Sequence, residues 1–301
     1  MRPIALVTAD ASLPNDFDMP VLLTACREHA LSVDVCAWDD PAVDWSLYGA
    51  VVLRSPWDYA DRLPEFLTWC EGVSAVSVLF NPLSAIRWSL DKHYLSDLAA
   101  AGVAVVPTGF VEDGASPRAV LDAFLAKHPE ADIFVVKPAV GCYSRGVRRF
   151  MRAERDEAAV HVERLRMDGA DTVAVQPYLP AIDDIGETNI IYFDGVYSHA
   201  IRKEALLTPD GTVKVPTYDL RSAQTAGEDD RVVALTALKA TAAHLQLERP
   251  LLYARVDLIR DREGRPRLLE LEIAEPSLSL PLSEGGASRF AEALAKLGMV
   301  E

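Results

Sequence analysis

A mixed α/β fold is what this sequence predicts, with a small parallel α/β unit followed by antiparallel strand pairs, and three observations predict it. The first ninety residues alternate short apolar strands with helical patterns. Residues 187–203, ETNIIYFDGVYSHAIRK, read as a hairpin turned at Asp194-Gly195, a dipeptide suited to the positive φ angles of a tight turn. Residues 251–273, LLYARVDLIRDREGRPRLLELEI, read as a second strand pair turning at Asp261 to Gly264. With 301 residues, half of them hydrophobic, the chain can form two or three subdomains with substantial cores.

The elements follow in order. IALVTA is a strand, a helix runs from about Met19 to His29, and SVDVCAW and GAVVLR are further strands. LPEFLTWCEG places Leu63, Phe66, Leu67 and Cys70 at helical spacing and predicts a helix ending at Gly72. In an open parallel sheet the functional loops follow the carboxyl ends of the strands, here DASLPNDFD and RSPWDY. SLDKHYLSDLAAAG predicts one helix closed by Gly102, with Lys92 on its first turn, leading to a strand VAVVPT. Ser116-Pro117 opens the next helix. The strand DIFVVKP, a glycine-containing turn, the strand VRRFM, a charged helix and the strand TVAVQPY come after it. A long helix near Asp229 to Gln246 separates the two hairpins, and a C-terminal helix ends near Gly298. The sequence holds no internal repeat and no low-complexity tract.

Composition excludes several classes of function. Lys plus Arg total 30 against 45 Asp plus Glu, a net charge of −15, which disfavours nucleic acid and anionic membrane as partners. An anionic ligand therefore needs locally placed cations. Cys26, Cys36, Cys70 and Cys142 form no CxxC pair, which points to reduced thiols and a cytoplasmic location. The segment MRPIALVTAD turns polar too soon for a signal peptide, and no apolar run approaches the ~20 residues of a membrane span.

The chemistry centres on the last strand pair. Leu269, Leu271 and Ile273 alternate with Glu270 and Glu272, so the two carboxylates share one strand face, and the turn brings Asp257 near them across the pair. Three clustered oxygen ligands suit Mg²⁺ or Mn²⁺, with room for a second ion, although a solvated strand face has the same spacing. Mg²⁺ is commonly held by carboxylates together with substrate phosphates. FVVKPAVGCYSRGV supplies what a phosphate needs: Lys137 ends an apolar strand, and Gly141 and Gly146 bracket a turn whose N–H groups and Ser144 hydroxyl can cover oxygens, with Arg145 beside them. An ordinary hairpin turn accounts for the same residues. No Walker A motif, GxGxxG, HExxH or GxSxG elbow is present. Cys142 has no base in its local sequence and is better read as a loop filler than as a nucleophile.

Taken together, Lys92, VVKP with its glycine turn, VQPYL, GETNIIYFDG, ARVDLI and LLELEIAEP resemble, in this order, the ATP-grasp ligases. The resemblance implies an N-terminal pre-ATP-grasp domain over residues 1–90, a lid subdomain over 91–180 and a C-terminal subdomain over 181–301. It implies that Lys92 and Lys137 reach the nucleotide from opposite sides and that the loop from Gly141 to Gly146 closes over the terminal phosphates. Gln176 and the backbone at Tyr178 and Leu179 would contact adenine, and Glu187 the ribose. Asp257, Glu270 and Glu272 fall on the magnesium ligands, with Glu272 where many relatives carry Asn. Arg255 and Lys137 fall on the groups that steady the transferred phosphoryl.

RSPWDY, NPLSAIRWSLDK and EIAEPSL further resemble the branch of cyclo-ligases that act on O-ureido-serine in D-cycloserine formation. That implies ATP phosphorylation of a carboxylate, attack by the ureido nitrogen to close the ring, and loss of the carbamoyl group. Arg54, Ser55, Trp57, Asp58 and Tyr59 are then expected to grip a small amino acid, with Arg54 also acting in catalysis. An intermolecular amino-acid or peptide ligase shares every ATP-site residue with a cyclo-ligase, and a non-catalytic nucleotide-binding module would share the fold. A homo-oligomer is compatible with the resemblance.

Overall fold

The computed structural model describes residues 2–142, 144–208, 213–214 and 217–297. Strands β1 (Ile4–Thr8), β2 (Val33–Ala37), β3 (Ala50–Ser55) and β4 (Leu79–Phe80) form a parallel sheet in the order β2-β1-β3-β4, with helices α1 (Met19–Glu28) and α2 (Leu63–Val76) as crossovers. Both faces of this sheet are buried, as its continuously apolar strands require. Ile4, Leu6 and Val52 pack with Leu22 of α1, whereas Ala5, Val7 and Leu53 pack with Phe66 and Cys70 of α2. Helix α2 does not stop at Gly72. Val73 continues the buried stripe of Phe66 and Cys70 and carries the helix to Val76, and Gly72 faces open space.

The single helix expected around Lys92 is two, α3 (Leu83–Ser89) and α4 (Tyr94–Ala100). Between them the Asp91 carboxylate accepts the His93 N–H at 3.0 Å, and the Lys92 N–H is given to the Ala139 carbonyl at 3.0 Å. An Asp that captures the backbone two residues on favours a turn over a continuous helix. VAVVPT is not a full strand. Val105 bridges Leu268, flanked by 2.8 Å bonds from Val106 N–H to Leu268 O and from Leu268 N–H to Ala104 O, before Pro107, which has no donor, ends the pairing.

The second unit comprises β5 (Gly109–Val111), α5 (Pro117–Lys127), β6 (Ile133–Pro138), β7 (Arg148–Met151), α6 (Arg155–Met167) and β8 (Val173–Pro177). Its antiparallel sheet runs β5-β8-β6-β7. Ser116 caps α5, its hydroxyl accepting the Ala119 N–H, and Pro117 occupies the first turn.

The third unit begins with α7 (Ala181–Ile185) and the hairpin β9 (Glu187–Phe193) and β10 (Val196–Lys203). It continues through β11 (Arg221–Gln224), α8 (Glu228–His244), β12 (Tyr253–Arg260), β13 (Pro266–Glu272) and α9 (Gly286–Leu297). The sheet order is β11-β10-β9-β12-β13. Gly298, the expected end of the last helix, lies outside the described residues.

Two packings depart from a division into consecutive blocks. Ala85, Tyr94, Leu95 and Leu98 join the core formed by Ile190, Ala254 and Leu271, while Ile86 of α3 packs in the N-terminal core, so α4 belongs with the third sheet, α3 bridges the two, and the sheet of the second unit starts only at Gly109. Phe290 and Leu294 of α9 pack with Leu22 of α1, so the C-terminal helix completes the N-terminal core.

The third sheet uses its two faces differently. Ile190, Tyr192, Ala254 and Val256 pack toward α3, α4 and α8. On the other face Ile191, Ile201 and Tyr253 meet α1 and α9, and further along the same face the residues become charged. That charged stretch is the floor of the site.

Candidate active site

Strand register assembles the acids. Asp257 lies directly opposite Glu270 and Arg255 opposite Glu272, and Asp257, Glu270 and Glu272 each offer a carboxylate oxygen within 4.8 Å of the others. A β-bulge at Leu269 shifts the pairing between Asp257 and Leu258. It lets Leu269 and Glu270 both line the cleft, while Leu268 and Leu271 remain in the core. Asp257 is 1% exposed and receives the Arg255 Nε and Nη2 at 2.8 Å each, and Arg255 also pairs with Glu272.

The electrostatics follow from this crowding. Burial raises the Glu272 carboxyl above its usual range, and the neighbouring Asp257, Glu275 and Glu270 charges add to that against the pull of Arg255. Burial also works against the Glu270 charge, yet Lys137, Lys92 and Lys203 hold its carboxyl well below the ordinary range. An all-oxygen donor set of mutually repelling carboxylates fits a hard divalent cation, and these three residues are the ones that would hold it.

Both lysines approach Glu270. Lys137, 7% exposed, donates to Glu270 at 2.7 Å, and Lys92 lies 3.8 Å from the same oxygen. Burial lowers the Lys137 ammonium from its ordinary value, opposed by Glu270. Lys92 also reaches the Ala139 and Gly141 carbonyls at 3.5 Å, which ties it to the start of the glycine loop.

A cleft of about 430 Å³ runs over these groups between all three units. One end is apolar, with Val106, Val135, Leu179, Ile259 and Leu269 in its lining, and suits a planar heterocycle. The hinge is more committed than the sequence implied. The Gln176 amide donates to Thr108 Oγ1 at 2.9 Å and the Tyr178 N–H to Ile133 O at 2.9 Å. Pro177 has no donor, so Leu179 carries the hinge N–H without a partner among the described residues.

Gly141, Ser144 and Arg145 line the cleft as expected, but Gly146 does not. Its role is structural: φ is +71°, and a Cβ would lie 2.7 Å from Leu165 Cδ2 and 3.2 Å from Pro138 Cγ. Gly146→Val is therefore expected to destabilise the second unit by about 2 kcal/mol, combining a left-handed backbone with a steric clash. Faster hydrogen exchange confined to that unit checks this, and unchanged exchange would count against it.

The expected substrate grip is the main correction. Arg54 is 1% exposed and outside the cleft lining. Its guanidinium donates to Pro276 O at 2.9 Å, sits 3.8 Å from Asp18 and lies 5.4 Å from the Tyr253 and Phe290 ring centroids. Ser55, fully buried, bonds Thr8 at 2.8 Å, and Asp58 holds Trp38 Nε1 at 2.8 Å and pairs with Arg62. Of RSPWDY only Trp57 and Tyr59 line the cleft.

Among the lining residues that the sequence did not single out are Lys203, Arg221, Glu275 and Ser277. Lys203 lies opposite Glu187 across β9 and β10 and pairs with it at 3.1 Å, so the acid expected at the ribose already has a cation. Arg221 lies opposite Lys203 and donates to Ser277 and Ser279 at 2.7 and 3.2 Å, without a carboxylate partner among the described residues. The Asp194-Gly195 turn held a signal for Lys203, because folding the hairpin about it brings Lys203 close to Glu187. Arg221 and Glu275 had none, since nothing local fixes their neighbours.

A two-lysine, three-carboxylate cleft beneath a glycine loop, on this three-sheet fold, defines an ATP-grasp ligase. The fold is shared with D-alanyl-alanine synthetase A from Vibrio cholerae (15% identity, TM-score 0.68, 99% of this chain and 98% of that one). It is also shared with the ATP-grasp ligase PsnB bound to its precursor peptide and AMPPNP (16%, TM-score 0.62, 98% and 97%).

Far greater likeness appears elsewhere. Residues 4–81 match the family model described as D-cycloserine synthetase DcsG, N-terminal domain. The chain is 53% identical over 296 residues to the cycloserine biosynthesis protein DcsG of Streptomyces lavendulae, covering 98% of this chain and 99% of that protein. It superposes on a crystal structure of D-cycloserine synthetase DcsG with a TM-score of 0.94 at 53% identity, over 97% and 98% of the two chains. The protein belongs to the DcsG family of D-cycloserine synthetases. Among its described residues no helix is long and apolar enough to cross a membrane.

Proposed function

We propose that this protein is an ADP-forming cyclo-ligase that activates the carboxylate of O-ureido-D-serine as an acyl phosphate and closes the ring to D-cycloserine. The observation that carries this proposal is the 53% identity with a cycloserine biosynthesis protein along nearly the whole of both chains, which includes the substrate end of the cleft as well as its ATP end. Adenine would lie in the apolar end and the triphosphate beside Lys92 and Lys137. Mg²⁺, with Mn²⁺ as a substitute and room for two ions, would be held by Asp257, Glu270 and Glu272, where it supplies charge neutralisation for phosphoryl transfer.

The side chains do the remaining work. Arg255 and Arg221 both line the cleft and would hold the carboxylate and then its phosphorylated form. Burial lowers the Arg221 guanidinium from its ordinary value, assisted by the nearby Arg255 charge, which makes an incoming anion welcome. Trp57 and Tyr59 wall a compact end in which the substrate folds so that its ureido nitrogen meets the acyl carbon. Phosphate leaves as the ring closes, and the carbamoyl group is lost from the ring nitrogen to water.

Turnover is expected to release ADP and phosphate with O-ureido-D-serine as the only other organic substrate. Following nucleotides by chromatography and the cyclic product by mass spectrometry checks this. AMP and pyrophosphate would remove the ligase reading, whereas an absolute need for a second amine would replace cyclisation by intermolecular ligation.

A further inference from the structure

The loop after β13, residues 273–280, carries one charged side chain, Glu275, which lines the cleft together with Trp57, Tyr59 and Ser277. The loop is fixed from several sides. Trp57 Nε1 donates to the Glu275 carbonyl at 3.0 Å, Arg54 donates to the Pro276 carbonyl at 2.9 Å, and Asp18 accepts the Leu278 and Leu280 N–H groups. Arg255 holds the Ser277 carbonyl at 3.0 Å from the opposite side. The position of the carboxylate is therefore set by the N-terminal unit and by the sheet floor together.

Among the acids lining the cleft, Glu187 and Glu270 are paired with lysines and Glu272 with arginine. Glu275 has no cationic partner among the described residues. Its neighbours include the phenol of Tyr59, which is 3% exposed and lines the same cleft. Burial raises the Glu275 carboxyl, and Tyr59, the residue's own N–H and the more distant Arg255 and Lys92 charges oppose that rise. A half-buried carboxylate with neutral donors but no ion-pair partner is short of one positive partner.

We propose that Glu275, steadied by Tyr59, is the seat for the α-ammonium group of the amino-acid substrate. This rests on the ligase reading of the cleft. In an α-amino acid the ammonium and the carboxylate are carried by one carbon, so an anion that receives the first must stand beside the centre that phosphorylates the second. Glu275 meets this condition, only three residues beyond Glu272 in the sequence and in the same cleft lining. Held against a carboxylate, the ammonium stays protonated and cannot attack the acyl phosphate, which leaves that reaction to the ureido nitrogen. A site built around this pair rejects a carboxylic acid that lacks the amine, because binding it would cover Glu275 and leave it unpaired.

The test compares wild type, Glu275→Gln, Glu275→Asp and Tyr59→Phe on O-ureido-D-serine, D-serine and their des-amino counterparts. ADP release is measured, together with binding of each acid to the protein loaded with a non-hydrolysable ATP analogue and Mg²⁺. Glu275→Gln is expected to raise KM and Kd for the amine-bearing acids by about 30-fold while changing those of the des-amino acids by less than about 3-fold, so that discrimination collapses. Glu275→Asp is expected to restore part of it, and Tyr59→Phe to show a smaller loss of the same kind.

An equal fall in kcat on both classes of acid, with KM unchanged, would make Glu275 a proton acceptor and overturn the proposal. So would a loss of ATP-analogue binding or of melting temperature without any change in discrimination, and so would binding of no amine-bearing acid by wild type. A wild type that binds D-serine but forms no ADP with O-ureido-D-serine would count against the cyclising function instead, with the seat still judged on D-serine.

Discussion

Glu270→Gln is expected to lower turnover by about 10²–10³-fold while leaving the fold intact, in the range for loss of one preorganised electrostatic contact. The substitution keeps the volume and removes a charge that two lysines depend on and that completes the carboxylate cluster with Asp257. Lys137 donates to Glu270 at 2.7 Å, Lys92 lies 3.8 Å away, and Asp257 faces it across the strand pair. A carboxamide is a poor ligand for a hard cation and leaves the buried Lys137 ammonium with a neutral partner. Circular dichroism checks the fold and ADP release the rate, and a near-normal rate would mean that the three acids form only a polar sheet face.

The same substitution has a pH signature. Lys137 and its neighbours hold the Glu270 carboxyl below the range it has in the unfolded chain. Its contribution to stability is therefore complete above that ordinary range and is lost as the pH falls through the folded-state value. The stability gap between wild type and Glu270→Gln should shrink on acidification. A gap that widens toward acid would contradict the ion pairing.

Arg54→Ala is expected to cost about 3 kcal/mol of stability, the size associated with stripping one partner from a buried ion pair. The guanidinium is 1% exposed, pairs with the equally buried Asp18 and supports the Pro276 carbonyl, so the loss leaves a buried carboxylate and a loosened substrate loop. Asp18 retains its bonds from the Leu278 and Leu280 N–H groups, which keeps the cost from being larger. Urea unfolding gives the stability, and KM for ATP measured well below the melting temperature should stay near wild type. An unchanged unfolding midpoint with a selective loss of substrate affinity would return Arg54 to direct contact with substrate.

What the sequence alone determined is what local periodicity and turn chemistry carry. The period-2 alternation of Leu269, Leu271 and Ile273 with Glu270 and Glu272, and the short turn back to Asp257, fix which side chains share a face. They bring Asp257 near the two glutamates, but the pairing of Asp257 with Glu270 itself depends on the bulge at Leu269, which the alternation does not show. Asp194-Gly195, at φ of 49° and 74°, turns its hairpin, and Ser116-Pro117 opens its helix. These features depend on residues close together along the chain, and they sufficed to gather Asp257, Glu270, Glu272 and Arg255, whereas Lys137 reaches Glu270 from a different sheet.

What only the tertiary structure decided is how each polar side chain spends its hydrogen bonds. Arg54, Ser55 and Asp58 have the chemistry of a zwitterion site, yet Asp18, Thr8, Trp38 and Arg62 claim them, and Gln176 and Glu187 are claimed by Thr108 and Lys203. Gly146 looks like a phosphate-loop glycine but is required by Leu165 and its own positive φ. Arg221 and Glu275 enter the cleft because the third sheet and the N-terminal unit close on them from distant parts of the sequence. The strong need of buried polar groups for partners decides these assignments, and the partners are chosen by the packing of elements far apart in the chain.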